Sequence, residues 1–322
     1  MATNNDYHFD WADLAFGSKK PLRDLQAVFI AAPRELSAER FKQLVKTYLP
    51  KGNIVVGIAK EPYVFGLEDC PQFKALQLSS VASIIKKVNT ASPQHKIYTL
   101  SYSQRDTVFI YEKIPFQEVV LINGSWYHGF HHRPEYYALV NNGTSFTKLS
   151  PFASEVEAKD FASKTKLPIV PRKGVFTESE MVQLADQSAA QSYDYAGLQT
   201  GCAIGLKNGK NYELIATAHN RVVPYETYAM HHGSERERHF SPLNDQNHYD
   251  TVHAETSLVV AAQQQKLDLK DATLFVNLLP CPACARMLCE TDVAEVIYQQ
   301  DHSDGYAVKL LTEAGKTVRR VV

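Results

Sequence analysis

Cysteine is scarce in this chain: five occur among 322 residues, an odd number. So few cannot form the disulfide framework that staples small secreted domains. Long apolar runs are missing too. The longest, such as Ala27–Ala32, fall far below the ~20 residues that a membrane-spanning helix needs. Met1–Lys20 holds no apolar segment of the kind a secretory signal uses. Net charge is almost absent, with 34 Lys+Arg against 35 Asp+Glu. That balance argues against a broad nucleic-acid surface and leaves room only for a local basic cleft. The first half contains neither G-x-x-x-x-G-K-[ST] nor G-x-G-x-x-G, so no phosphate-cradling loop is expected there.

What is present describes a folded protein. Seventeen Tyr and 15 Phe, in a composition 44% hydrophobic and 21% charged, supply material for packed cores. The length suits two domains. Two of the cysteines form Cys281-x-x-Cys284, a spacing that points to metal or redox chemistry in a reducing, cytoplasmic compartment.

The first half alternates strand and helix signals. Ala27–Ala32 reads as a strand, Ser37 as a helix N-cap, and Phe41, Leu44, Val45 and Tyr48 as the buried stripe of a helix. Further strands are expected at Asn53–Ala59, Lys96–Ser101 and Glu118–Ile122, with a helix around Pro71–Lys87. Tyr136–Val140 and Ser145–Leu149 read as a hairpin. This alternation predicts a Rossmann-like α/β domain over residues 1–165. Lys164–Gly174, with two prolines and four basic residues, reads as the linker. Residues 175–322 then open on a capping box, Thr177-x-x-Glu180, and follow the order α-β-β-α-β-α-β-α-β.

The chemistry concentrates in this second half. His253-Ala254-Glu255 is followed 28 positions later by Pro280-Cys281-Pro282-Ala283-Cys284. This is the H-x-E…P-C-x-x-C signature of zinc-dependent nucleobase deaminases. His253, Cys281 and Cys284 are the expected ligands of one catalytic Zn2+ per subunit, and the fourth tetrahedral position is left for water. The alternative is a closed structural site completed by His248 or Cys289. Glu255 is the expected proton shuttle, placed beside the metal without ligating it.

Residues 175–322 resemble the cytidine and deoxycytidylate deaminase superfamily, and within it the dCMP deaminases. The resemblance rests on that signature and on three further segments. One is the turn His219-Asn220-Arg221. The second is a long polar insert before His253. The third is the ending Asp301-His302-Ser303-Asp304 with Leu310-Leu311-Thr312-Glu313-Ala314-Gly315. It implies a three-layer α-β-α fold and hydrolytic deamination of a cytosine nucleotide, dCMP to dUMP. A deaminase of free cytidine or deoxycytidine, or of another nucleobase, is an alternative. So is a zinc protein that no longer turns over. The resemblance further implies that Asn220 contacts the sugar and that the protein is a homo-oligomer. Arg221, Arg236 and Arg238 are candidates for phosphate, and Ala254 and Tyr306 for the walls of the pocket. His231, His232, His239 and His248 could bind a second zinc. Thr256-Ser257-Leu258 reads as helix packing. The first domain fits a sensor of dCTP or dTTP, an oligomerisation platform, or a second enzyme.

Overall fold

The structure, a computed structural model, describes residues 7–16, 26–92, 94–124, 130–194, 199–233 and 251–321. By contacts it divides into two units. One joins Met1–Thr165 with Thr227–His239, and the other joins Lys166–Glu226 with Phe240–Val322. Among the described residues, no helix is long and apolar enough to cross a membrane.

The first unit is built on a six-stranded sheet. Its strands are β1 (His8–Asp10), β2 (Ala27–Ala31), β3 (Asn53–Ala59), β4 (Ile97–Tyr102), β5 (Glu118–Ile122) and β6 (Ser145–Leu149). They lie in the order β1-β4-β3-β2-β5-β6, and every pairing is parallel. A parallel sheet is covered by helices on both faces, so its central strands bury both sets of side chains and read as unbroken apolar runs. All five residues of β2 are buried. Alternate residues feed two cores, with Phe29 in one and Val28 and Ile30 in the other. Ser37 caps helix Ala38–Tyr48 by accepting from Arg40 N, and Phe41, Leu44, Val45 and Tyr48 are its buried residues, as their spacing requires.

Two segments differ from the sequence expectation. Pro134–Asn141 is a helix, and Ser145–Leu149 pairs in parallel with β5, so there is no hairpin. Pro134 at the first helical position favours the helix, whose buried residues Glu135, Ala138 and Leu139 recur at helical spacing. Asn142-Gly143, with Gly143 at φ 66°, ends that helix and turns into β6. The helix expected at Pro71–Lys87 runs over Leu78–Ala91.

β2 and β5 form the topological switch point of this sheet, where open α/β folds usually admit a ligand. Here Arg34, just past β2, is 1% exposed and lies over Phe73, 4.5 Å from the ring centroid. Its Nη1 donates to Asn123 O at 3.0 Å and to Met230 O at 3.1 Å. Asn123 Nδ2 donates to His231 O at 2.9 Å. These donors meet carbonyls that the short helix Tyr228–His232 cannot satisfy internally. That explains why Thr227–Gly233 counts with the first unit although its sequence lies inside the second.

The second unit holds β7 (Val175–Phe176), β8 (Gly201–Asn208), β9 (Asn211–His219), β12 (Thr273–Leu278), β13 (Glu295–Gln300) and β14 (Thr317–Arg320). They follow the order β14-β13-β12-β8-β9-β7. A separate two-stranded ribbon pairs β10 (Arg221–Val222) with β11 (Thr251–Val252). The sheet is mixed: β8 runs antiparallel to β9 and β12, while β12, β13 and β14 run parallel. Successive side chains on a strand point to opposite faces. Leu274, Val276, Val296 and Tyr298 therefore pack with helices Ala254–Gln265, Pro282–Cys289 and Tyr306–Glu313. Phe275 and Ile297 face the other way, onto Met181 and Leu184 of helix Glu178–Ala189. This is a three-layer α-β-α domain whose main elements follow the expected order, with β7 added before the first helix and the β10–β11 ribbon added after β9. Its first helix carries the expected capping box between Thr177 and Glu180.

Gly201 shows how tightly these layers meet. A Cβ there would stand 2.2 Å from Ala189 N and 2.3 Å from Ala185 O. Both are backbone atoms, so no rotamer change relieves the clash. Gly201→Ala is expected to destabilise this unit by about 3 kcal/mol or more, measured by chemical denaturation.

Candidate active site

The site is assembled at one end of the central strands. β12 delivers Cys281 as the N-cap of helix Pro282–Cys289, with Pro282 in the first turn. The ribbon β10–β11 delivers His253, which is the N-cap of helix Ala254–Gln265 rather than a residue inside it. Two helix N-termini therefore converge, and their unsatisfied N–H groups favour anionic donors.

His253 Nδ1 lies 3.3 Å from Cys281 Sγ and 3.3 Å from Cys284 Sγ. Among the described residues, these three form the one group of His, Cys, Asp and Glu able to hold a metal ion, with all ligand atoms within 4.8 Å of one another. The donor set fits zinc. Nitrogen and sulfur ligands of a tetrahedral zinc stand about 3.5 Å apart, so the trio is close to a coordinating geometry. The facing nitrogen is Nδ1, which identifies the atom that would ligate.

The electrostatics match that chemistry. The neighbouring Cys284 thiol, followed by His253 and the Cys284 backbone N–H, holds the Cys281 thiol down at about 3 against the opposing effect of burial. Cys284 is pushed upward, first by its bond to Cys281 and then by burial and Glu255. A cation between them would favour thiolates at both sulfurs. The bond from Cys281 raises the His253 ring, and Glu255 and Asp194 add to the effect.

Glu255 is 3% exposed, and burial raises its carboxyl above the usual range. Its charge acts on His253 and Cys281, so it stands against the trio without joining it. Thr256 lies on the same turn, and its hydroxyl is 3.8 Å from Cys284 Sγ. The packing role read from the sequence for Thr256 missed this contact, which depends on where the next helix sits.

The other expected residues fall in different places. Ala254 is fully buried in the core. Asn220 is 4% exposed: its Nδ2 donates to Asp194 Oδ2 at 3.1 Å, and its Oδ1 accepts from Thr200 N at 2.8 Å. Arg221 is exposed on β10, with its Cα opposite Val252, next to His253. It also helps burial hold the His219 ring down to about 4. Tyr306 is 43% exposed at the start of the last helix, where its hydroxyl accepts from Arg286 Nη2 at 3.3 Å. Arg236, Arg238, His239 and His248 lie outside the described residues. His231 is engaged with Ser150 at 2.7 Å and Glu155 at 3.3 Å. Cys289 donates to Leu310 O at 3.9 Å and stands outside the metal-binding trio.

This geometry can be set beside known proteins. Residues 176–300 match the family described as the cytidine and deoxycytidylate deaminase zinc-binding region. The C-terminal half resembles these deaminases. The deoxycytidylate deaminase of Saccharomyces cerevisiae is 27% identical over 147 residues, 44% of this chain and 44% of that protein. The chain thus aligns with less than half the length of that relative. A Drosophila melanogaster protein named as a probable deoxycytidylate deaminase is 25% identical over 169 residues, 51% of this chain and 78% of that protein. Of solved structures, dCMP deaminase from the cyanophage S-TIM5 in complex with dCMP and dUMP is similar at a TM-score of 0.35. It is 18% identical and covers 45% of this chain and 96% of that one.

Proposed function

We propose that the second unit is a zinc-dependent deaminase that hydrolyses a cytosine nucleotide, dCMP, to dUMP and ammonia. The observation that carries this reading is His253 Nδ1 standing 3.3 Å from both sulfurs, with a buried carboxylate two residues along. His253, Cys281 and Cys284 would hold the zinc. A bound zinc supplies Lewis acidity that brings water's pKa to about 7, so that hydroxide is available at neutral pH.

The chain's own residues do the rest. Glu255 takes a proton from the attacking water, gives one to ring N3, and passes one to the departing amine. The C4–N bond breaks, a C4–O bond replaces it, and ammonia leaves. Burial suits Glu255 to this task, because a carboxyl raised above its ordinary value takes up a proton more readily and can still return it. The fully buried Ala254 and the core around it exclude water from one side of the site. Arg221, exposed on the strand paired with the one that leads to His253, is our candidate for contact with a 5′-phosphate. We extend the proposal to a homo-oligomer whose first unit is a sensor of dCTP or dTTP, an oligomerisation platform or a second enzyme.

The test is a substrate panel of dCMP, CMP, dCTP and deoxycytidine, assayed with and without dCTP and dTTP. The expected result is a preference for dCMP of at least about 10-fold, since a charge-assisted phosphate contact is worth 1.5–3 kcal/mol. Equal turnover of deoxycytidine would remove the phosphate site from the account.

A further inference from the structure

Asp194 lies in the loop that follows helix Glu178–Ala189 and is 6% exposed. A carboxylate is costly to bury, and a neutral side chain could serve as a mere spacer. Its Oδ2 accepts two hydrogen bonds, from Thr251 Oγ1 at 2.6 Å and from Asn220 Nδ2 at 3.1 Å. Each donor ties down a different piece of chain. Thr251 opens β11, two residues before His253. Asn220 follows the end of β9, and Thr200 clamps it through two bonds, Thr200 N to Asn220 Oδ1 at 2.8 Å and Asn220 N to Thr200 O at 2.9 Å. Ser192 completes the knot, with its hydroxyl donating to Asn220 O at 2.7 Å and accepting from Asp194 N at 3.1 Å. One buried carboxylate therefore joins the exit of the first helix, the end of β9 and the strand that leads into the metal-binding trio.

We propose that Asp194 is a positioning residue for the metal centre: through Thr251 it fixes β11, and so holds His253 Nδ1 in register with Cys281 Sγ and Cys284 Sγ. This rests on reading the trio as a zinc site. A histidine that starts a helix has no preceding turn to fix its backbone, and the two-residue strands β10 and β11 form a short ribbon. The Thr251–Asp194 bond supplies the missing constraint. Groups beyond the ligands commonly help to orient a metal site, here through the backbone of β11 rather than through the imidazole itself.

The test uses the full chain, reconstituted with cobalt(II), with variants Thr251→Val, Thr251→Ser and Asp194→Asn. Affinity is read by competition with a chromophoric chelator, site geometry by the ligand-field spectrum, and fold by thermal unfolding of the metal-free protein. Thr251→Val is isosteric and deletes one bond. It is expected to weaken cobalt binding about 10-fold and to alter the spectrum. Thr251→Ser should restore both, and Asp194→Asn should weaken binding. Should Asp194→Asn fail to fold, the two Thr251 variants decide the matter. Wild-type affinity and spectrum in Thr251→Val would overturn the proposal. So would a lower melting temperature accompanied by an unchanged spectrum, because the bond would then be a structural tie only. If the wild-type chain binds no cobalt, the zinc-site reading itself fails, which is a distinct result.

Discussion

Glu255→Gln is expected to lower kcat for dCMP by about 10³-fold or more while zinc content stays at one per chain. General acid–base catalysis by a placed side chain contributes about 10²–10⁴-fold. Glu255 is asked to move protons at several stages of one turnover, which favours the upper part of that range. Glutamine keeps the size and most of the packing of a residue that is only 3% exposed. The trio is His253, Cys281 and Cys284, so removing the carboxylate leaves every proposed ligand in place. Ammonia release and metal analysis on the same sample check both halves. An active Glu255→Gln enzyme would remove the carboxylate from the mechanism. An inactive one without zinc would show that Glu255 supports the metal site instead.

The second large effect concerns Cys281, which has two separable jobs. It is a proposed ligand, and it is also the N-cap whose Sγ accepts from Cys284 N at 3.5 Å. Cys281→Ala removes both functions, whereas Cys281→Ser removes the soft donor and supplies a hydroxyl that caps well. Both variants are expected to lose zinc on dialysis, with affinity reduced by at least about 100-fold and activity lost with the metal. Their metal-free forms should differ: Cys281→Ala is expected to be less stable than Cys281→Ser by about 1 kcal/mol, the usual worth of an N-cap. Metal analysis and denaturant unfolding of the two apo proteins give the comparison. Equal zinc retention in Cys281→Ala and wild type would contradict the ligand assignment.

How much of this was legible in the sequence follows from how local each cause is. The His253-Ala254-Glu255 and Pro280-Cys281-Pro282-Ala283-Cys284 segments are short and bring their own helix starts, so the trio could be read directly. The second unit's element order was legible because its strands alternate faces cleanly, as Leu274, Phe275 and Val276 show. Tyr136–Val140 reads as a strand in sequence because its aromatic and β-branched residues suit either state, and packing decided for the helix Pro134–Asn141. No motif in the sequence marks Arg34. Only the sheet order places it at the switch point, and only the long-range contact with Met230 shows what it holds. Asp194 and Thr256 were missed for the same reason. Each acts through a residue distant in sequence, Thr251 and Cys284 respectively, and neither spacing forms a motif.

The central claim is that the second unit releases ammonia from dCMP through a zinc held by His253, Cys281 and Cys284. Its most direct test is ammonia and dUMP production by the full chain after chelation and after zinc is returned. Equal amounts of both products, loss of activity in the chelated protein, and recovery when zinc reaches one equivalent are expected. A chain that takes up one zinc through these residues, yet releases no ammonia from dCMP or any other cytosine substrate, would contradict it.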